Sequence, residues 1–240
     1  MRSIPRRALL AAGLGLAVEA GAYAAGCIAR TAGAGRGRRA ATRASADDTV
    51  SEDPSEELRA LPDGAAGWLA VAGTSIDRPV MQAAGNPDFY LSHDEDGEPS
   101  AFGSLYLDQR CAPGHIHLMV YGHHVLDMPD EMFSPIHDAY LPEVFEGIGE
   151  ARLQEAGSDS MGSWQALCAL RVDSSFTEIQ RFGLEGDGFR QWLEGIVATA
   201  DARAVGADGL VAEAARCLTL VTCSSAVGGQ RWRTLLLFAR

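Results

Sequence analysis

The sequence predicts a mainly β fold, a closed or nearly closed β-barrel with helices added to its outside, preceded by an N-terminal membrane segment. Two observations indicate the barrel. The chain holds many short apolar runs bounded by turn residues, which is typical of strands. These runs mostly lack the regular alternation with helices that a parallel α/β sheet requires. A third observation, an apolar run behind several arginines, indicates the membrane segment.

The charge of the chain is unevenly distributed. Its 240 residues suffice for one ordinary domain with extensions, or for two small domains, and their 47% hydrophobic content is typical of a globular protein. All 20 basic residues are Arg, and eight of them lie within the first 45 residues beside a single acid, Glu19. The remainder carries 12 basic and 31 acidic residues. A body this acidic excludes general nucleic-acid binding, which needs a cationic surface.

Three segments follow from the hydropathy pattern. Residues 1–29 predict a signal anchor, because an apolar run of about 22 residues follows Arg2, Arg6 and Arg7 and is long enough to cross a bilayer. Residues 30–60 lack apolar periodicity and predict a flexible linker. Residues 61–240 hold the short apolar runs and form the predicted globular domain.

Two alternatives to the anchor remain. The segment 22–24 (AYA) offers a small-x-small cleavage site of a secretory signal, and Cys27 follows a segment loosely similar to a bacterial lipobox. The basic residues ahead of the apolar run place that end in the cytoplasm, so the body is exported. We therefore expect a single-pass protein of the cell membrane whose domain at residues 61–240 is extracellular.

Seven strands and one helix are predicted in the exported domain. The strands are at 67–71, 76–80, 102–107, 117–121, 164–172, 217–222 and 234–238. An amphipathic helix face repeats at Phe189, Trp192, Leu193, Ile196 and Val197, and this helix is expected to begin near Gly188. The segment 130–145 has mixed helical spacing that Pro135 and Pro142 break.

Five cysteines without a CxxC pair predict at least one free thiol. Cys223 ends an apolar strand and precedes two serines, where a substrate can reach it, whereas Cys168 and Cys217 are expected to be buried within strands. Arg231 and Arg233 head the following strand, so an antiparallel hairpin would bring a guanidinium beside the thiol. That charge would favour the thiolate and hold an oxyanion.

The histidines offer a second candidate group. His115, His117, His123 and His124 follow Cys111, which makes a metal cluster conceivable, but no carboxylate lies between Cys111 and His124 and the adjacent histidines would point apart on a strand. We therefore predict no metal. His123 itself follows Gly122 at the end of an apolar strand, a position where scaffolds place reactive groups.

These segments resemble the sortases, the cysteine transpeptidases of bacterial cell surfaces. Residues 219–223 (TLVTC) are similar to the TLxTC signature, residues 121–123 (YGH) to the segment with the family's histidine, and the arginine-led last strand to its third catalytic element. The chain departs from class B at Val221, where class B members commonly have serine. The other stretches that resemble class B are 67–69, 73–77, 79–82, 90–91, Ser100, 103–104, Asp108 and the helix at 189–197.

The resemblance implies a closed β-barrel of about eight strands and a catalytic set of His123, Cys223 and Arg233, with Arg231 as the alternative arginine. It implies cleavage of a C-terminal sorting motif in secreted proteins through a thioester, without a cofactor. A peptidoglycan precursor or a pilin amine would then accept the acyl group. Class B resemblance suggests an NPxT-like motif on haem-uptake or pilus proteins. The alternatives are a cysteine endopeptidase that hydrolyses the same bond and a non-catalytic surface domain that binds a ligand.

Overall fold

The structure, a computed structural model, describes residues 58–223 and 231–240. The predicted membrane segment (1–29), with the 22–24 site and Cys27, and most of the predicted linker (30–60) lie outside the described residues. Within the part of the chain that is described, no helix combines the length and the apolar character needed to span a membrane.

The described residues form nine strands and three α-helices. The strands are β1 (Ala65–Val71), β2 (Asp77–Met81), β3 (Leu105–Leu107), β4 (His117–Tyr121), β5 (Ala151–Glu155), β6 (Met161–Asp173), β7 (Ala202–Arg203), β8 (Cys217–Cys223) and β9 (Trp232–Ala239). The helices are α1 (Pro142–Phe145), α2 (Gly186–Ala198) and α3 (Ala207–Glu213).

Eight of these strands close into a barrel. Their order is β5-β1-β2-β3-β4-β8-β9-β6, and β5 pairs with β6 to complete the ring. β7 is a ninth strand added beside β6. Closure removes the exposed edges that an open sheet would leave. The predicted mainly β barrel of about eight strands with added helices is confirmed.

Side-chain alternation and burial explain the predicted strands. In β1 the residues Gly67, Leu69 and Val71 face inward in alternation, whereas β9 is buried without interruption from Thr234 to Ala239. The strong apolar signal of β9 reflects that continuous burial. One hydrophobic cluster runs through the described residues, and Trp164 and Phe133 are among its largest fully buried side chains.

The predicted helix is present, and it begins at Gly186, two residues before the expected start. Its buried residues are Phe189, Leu193, Ile196 and Val197, the apolar face that the spacing indicated. Trp192 belongs to the same face, and its indole Nε1 donates to the carbonyl of Glu178, 2.8 Å away. The amphipathic pattern therefore identified both the element and the face it buries.

Other elements differ from the sequence prediction. The strand expected at 102–107 is shorter, because Gly103 adopts a φ of 60° and Phe102 stays exposed, so pairing begins at Leu105. The segment 130–145 contains a 3-10 helix (Ser134–Ile136) and α1, each with a proline in its first turn. There the missing proline N–H costs nothing, so each proline begins a short helix.

The chain already contacts the barrel ahead of residue 61, the predicted start of the domain. The Arg59 N–H donates to Gln154 Oε1 at 2.8 Å, and Gln154 Nε2 donates to the Arg59 carbonyl at 3.1 Å. Gln154 is buried in β5, so these two bonds satisfy an amide that water does not reach.

Candidate active site

His123 and Cys223 leave neighbouring parallel strands at the same height. β4 and β8 pair in parallel from His117 with Cys217 to Tyr121 with Val221, and the Gly122 N–H continues the ladder to the Val221 carbonyl at 3.1 Å. His123 and Cys223 each come two residues after the last pair. The structure describes the backbone of Cys223, which ends β8.

Arg233 reaches the same end of the barrel from the opposite side of β8. The antiparallel register of β8 and β9 pairs Thr222 with Thr234 and Cys223 with Arg233. Arg233 is half-buried, and its Nη1 donates to the Trp232 carbonyl at 3.0 Å. The three residues predicted from the sequence therefore lie at one end of the barrel, with Cys223 and Arg233 on adjacent strands and His123 two residues after the neighbouring strand β4.

Arg231 is engaged elsewhere. It precedes β9, which begins at Trp232, and its Nε donates to Asp173 Oδ2 at 2.5 Å, at the C-terminal end of β6. The pKa of Asp173 is lowered to about 2, first by the Ser175 N–H and hydroxyl and then by Arg231. Arg231 is 71% exposed, so this surface ion pair contributes little stability, but it directs the guanidinium towards β6.

A main-chain carbonyl orients the imidazole of His123. His123 Nε2 lies 2.8 Å from the carbonyl oxygen of Leu91, at the end of the 3-10 helix Phe89–Leu91. Because a carbonyl only accepts, Nε2 carries a proton and Nδ1 is left for proton exchange. No signal in the sequence marks this role of Leu91, because any residue type supplies the same carbonyl.

The backbone around His123 is also held in place. The Phe133 N–H donates to the His123 carbonyl at 2.9 Å. A Cβ on Gly122 would lie 2.5 Å from Leu105 Cδ2 and 2.7 Å from Phe133 Cδ2, far inside normal contact distance. Glycine at 122 therefore lets the strand end pass close to these two side chains before the chain reaches the imidazole.

The other histidines considered for a metal site are separated. His117 is buried, with Nδ1 2.9 Å from the Arg181 carbonyl and Nε2 2.9 Å from Thr219 Oγ1, whereas His115 is exposed. Burial lowers the pKa of His117 to about 4. Among the described residues, no group of three or more His, Cys, Asp or Glu side chains is arranged to hold a metal ion.

The other described cysteines are buried, free thiols. Burial raises the pKa of Cys111 and of Cys217 to about 12 each, and raises that of Cys168 as well. Such thiols stay protonated at neutral pH and are poor nucleophiles. The expectation that Cys168 and Cys217 are buried strand cysteines is confirmed.

Comparisons with known proteins relate this chain to sortase B. No protein-family model matches the chain. A sortase B of Listeria monocytogenes is 25% identical over 204 residues, which cover 81% of this chain and 78% of that protein. A sortase B of Staphylococcus aureus is 35% identical over 92 residues, which cover 38% of this chain and 36% of that protein.

Solved structures share the barrel. Clostridium perfringens sortase B superposes with a TM-score of 0.62 at 23% identity, over 73% of this chain and 93% of that chain. A Staphylococcus aureus sortase B–substrate complex gives a TM-score of 0.60 at 23% identity, over 75% of this chain and 80% of that chain. A sortase B complexed with triglycine gives 0.58 at 22% identity, over 73% and 79% of the two chains.

At these identities the structural likeness establishes the fold, and the sequence relationship supplies the link to the family. The barrel, the strand-end histidine and the TLVTC strand agree with that link. In sequence and in fold, this chain is therefore similar to the class B sortases.

Proposed function

We propose that Cys223 is the nucleophile, His123 the general acid and base, and Arg233 the oxyanion-binding residue of this transpeptidase. The observation that carries the proposal is the strand register. It pairs Cys223 with Arg233 across β8 and β9. It also places His123 and Cys223 each two residues after the last pair of the parallel strands β4 and β8. Arg231, the alternative arginine, is less suited because Asp173 holds its guanidinium.

The first half-reaction forms a thioester. The Cys223 thiolate attacks the carbonyl carbon of the scissile peptide bond, and the oxyanion that develops is stabilised by the Arg233 guanidinium. When the C–N bond breaks, the His123 imidazolium gives its Nδ1 proton to the departing amine. The hydrogen bond from Nε2 to the Leu91 carbonyl keeps the ring oriented in both protonation states of Nδ1.

The second half-reaction regenerates the enzyme. An acceptor amine attacks the thioester carbonyl carbon and loses a proton to His123 Nδ1. The new C–N bond forms as the C–S bond breaks, which returns the Cys223 thiolate. Water in place of the amine would give hydrolysis with the same residues, so the identity of the acceptor decides the product.

The proposed substrates are secreted proteins with a C-terminal sorting motif of the NPxT type. The proposed acceptor is an amine of a peptidoglycan precursor or of a pilin. Support for these two ligand classes comes from the relatives, one of which is a sortase B–substrate complex and another a sortase B complexed with triglycine. A peptide with a free amino terminus is chemically an amine acceptor.

We further propose that residues 1–29 anchor the protein in the cell membrane by a single span, with the catalytic domain outside the cell. The support is the sequence pattern, in which Arg2, Arg6 and Arg7 precede an apolar run of about 22 residues. An anchor of this kind would hold the barrel where exported substrates leave the membrane.

The test combines one variant with mass spectrometry. The chain is incubated with a quenched peptide that carries the motif, with and without an added amine. The masses of the thioester adduct and of the products are then measured. We expect Cys223→Ala to lose both adduct and cleavage, whereas Cys111→Ala, at a buried thiol, retains them. Cleavage by Cys223→Ala would refute the assignment, and a product mass unchanged by the amine would favour the hydrolase.

A further inference from the structure

Two histidines outside the proposed catalytic set lie ring against ring. The ring centroids of His124 and His137 are 4.0 Å apart and the ring planes differ by 26°. His124 directly follows His123, and His137 directly follows the 3-10 helix Ser134–Ile136. Both side chains are half-buried. We call this pair the histidine stack.

The ring of His137 is held from both of its nitrogens. Nδ1 lies 2.6 Å from the Ser134 carbonyl oxygen, and Nε2 lies 3.0 Å from Asp138 Oδ2. These contacts set the plane of the ring without any contribution from His124. His137 therefore presents a fixed aromatic face on which the His124 ring packs.

The main chain of His137 is tied to the strand that carries Arg233. The Thr234 hydroxyl donates to the His137 carbonyl, and Thr234 is fully buried directly after Arg233. Thr234 also pairs with Thr222, the neighbour of Cys223. His137 therefore contacts His124, the neighbour of His123, through its ring. It contacts Thr234, the neighbour of Arg233, through its carbonyl.

We propose that His137 is a positioning residue that sets the separation between His123 and Arg233. This inference rests on the proposed roles of those two residues. His123 lies in a loop beyond the end of β4, so β4 pairing alone does not fix its distance from β9. The histidine stack and the Thr234 hydrogen bond both involve His137, and together they fix this distance. Small displacements of a reacting group lower the rate of the chemical step more than they weaken substrate binding.

The experiment compares His137→Ala, His137→Phe and Thr234→Val in the full chain, using thioester formation from the motif peptide. His137→Ala removes the stacked ring, His137→Phe keeps an aromatic ring there, and Thr234→Val removes the hydroxyl at nearly constant volume. We expect His137→Ala and Thr234→Val to lower kcat by about tenfold with KM unchanged. His137→Phe keeps the aromatic face but not the two contacts at the ring nitrogens, so its kcat should lie between those of His137→Ala and the unsubstituted chain. His115→Ala, at an exposed histidine, is the matched control.

The outcomes separate this inference from the proposed function. A His137→Ala variant with normal kcat, or a His137→Phe variant with a kcat no higher than that of His137→Ala, overturns the positioning role. A rise in KM with unchanged kcat overturns it as well. If the unsubstituted chain forms no adduct on Cys223, the proposed function itself fails, and that result is visible before any variant is compared.

Discussion

Arg231 and Arg233 are two positions apart, and the strand boundary gives them different surroundings. On one regular strand they would face the same side. Because β9 begins at Trp232, Arg231 lies outside it and pairs with Asp173, while Arg233 lies opposite Cys223. The choice between the two, open in the sequence, depends on where pairing begins.

The arginine assignment predicts unequal effects of two identical substitutions. Arg233→Lys should lower kcat/KM by about 10²–10³-fold, equivalent to about 2.7–4 kcal/mol, because lysine lacks the planar donors that hold an oxyanion. Arg231→Lys should stay within a few-fold, since lysine can still pair with Asp173 on the surface. Steady-state kinetics with the motif peptide decides between them, and a crippled Arg231→Lys would reverse the assignment.

His117 is a buried histidine with a hydrogen-bond partner at each ring nitrogen. The Arg181 carbonyl accepts from Nδ1, and Nε2 lies 2.9 Å from the Thr219 hydroxyl oxygen. Phe182 and Trp192 pack on the ring, at 5.3 and 4.7 Å between centroids. Burial disfavours the charged imidazolium and lowers the pKa of His117 to about 4, although the Arg181 carbonyl acts in the opposite direction.

The lowered pKa predicts a loss of stability in acid. Between pH 6.5 and 4 the unfolded chain binds a proton at residue 117 and the folded chain does not. The free energy of unfolding should therefore fall as the pH drops through this window, by up to about 3 kcal/mol. Urea unfolding at pH 7 and at pH 4.5 measures the difference. His117→Gln should reduce this difference in the free energy of unfolding, and His115→Gln, at an exposed histidine, should not. The same pH dependence in all three chains would contradict the prediction.

At the scale of elements, the end of β4 depends on close packing at Gly122. Leu105 from β3 and Phe133 from the following loop both lie where a side chain at 122 would be. The same loop fixes the His123 carbonyl through the Phe133 N–H. Phe133 therefore both packs against the strand end and positions the backbone that carries the imidazole.

Gly122→Ala should lower both the free energy of unfolding and kcat. The added methyl group must displace Leu105 or Phe133, which typically costs about 1–3 kcal/mol of folding free energy. Displacement of Phe133 should also move His123 and lower kcat. Gly195→Ala in α2, where no atom lies within 4 Å of the new Cβ, should instead be neutral or stabilising by about 0.5–1 kcal/mol. Thermal unfolding and peptide cleavage of the two variants test this, and equal stability of both would contradict it.

At the scale of the whole molecule, the segment ahead of β1 is hydrogen-bonded to the barrel at Gln154 of β5. Arg59 supplies both hydrogen bonds of the buried Gln154 amide, across 95 positions of sequence. Its guanidinium also pairs with Asp77 at 3.2 Å, but that pair is exposed and contributes little. The contribution of the segment to stability therefore comes from its backbone.

Truncation should reveal this contribution. A chain beginning at residue 61 should be less stable than one beginning at Leu58 by about 1–3 kcal/mol, because it leaves the Gln154 amide buried without partners. Both chains should cleave the motif peptide at similar kcat. Replacing Gln154 by Met in each chain removes the polar group and should abolish the stability difference. A difference that persists with Met would mean that Arg59 acts through another contact.

Elements missed from the sequence have either polar residues with distant partners or too few residues for a periodic pattern. β5 (Ala151–Glu155) has only two apolar residues, so its pattern does not predict a strand. Its Gln154 is satisfied by Arg59, and its Glu155 pairs with Arg216 at 2.5 Å, 61 positions away. β7 has two residues and α3 has seven, too few for a periodic pattern. Local patterning therefore could not identify these three elements.

The sequence by itself determined the β class, the buried strands and the residue types available for chemistry, because apolar periodicity and strand-end motifs are local properties. The tertiary structure decided which arginine lies opposite Cys223, which carbonyl orients His123, and which ring packs on His124. These depend on strand register and loop packing between residues far apart in the chain, 32 positions in the case of Leu91 and His123. Such contacts form only when the barrel closes, so no window of sequence contains them.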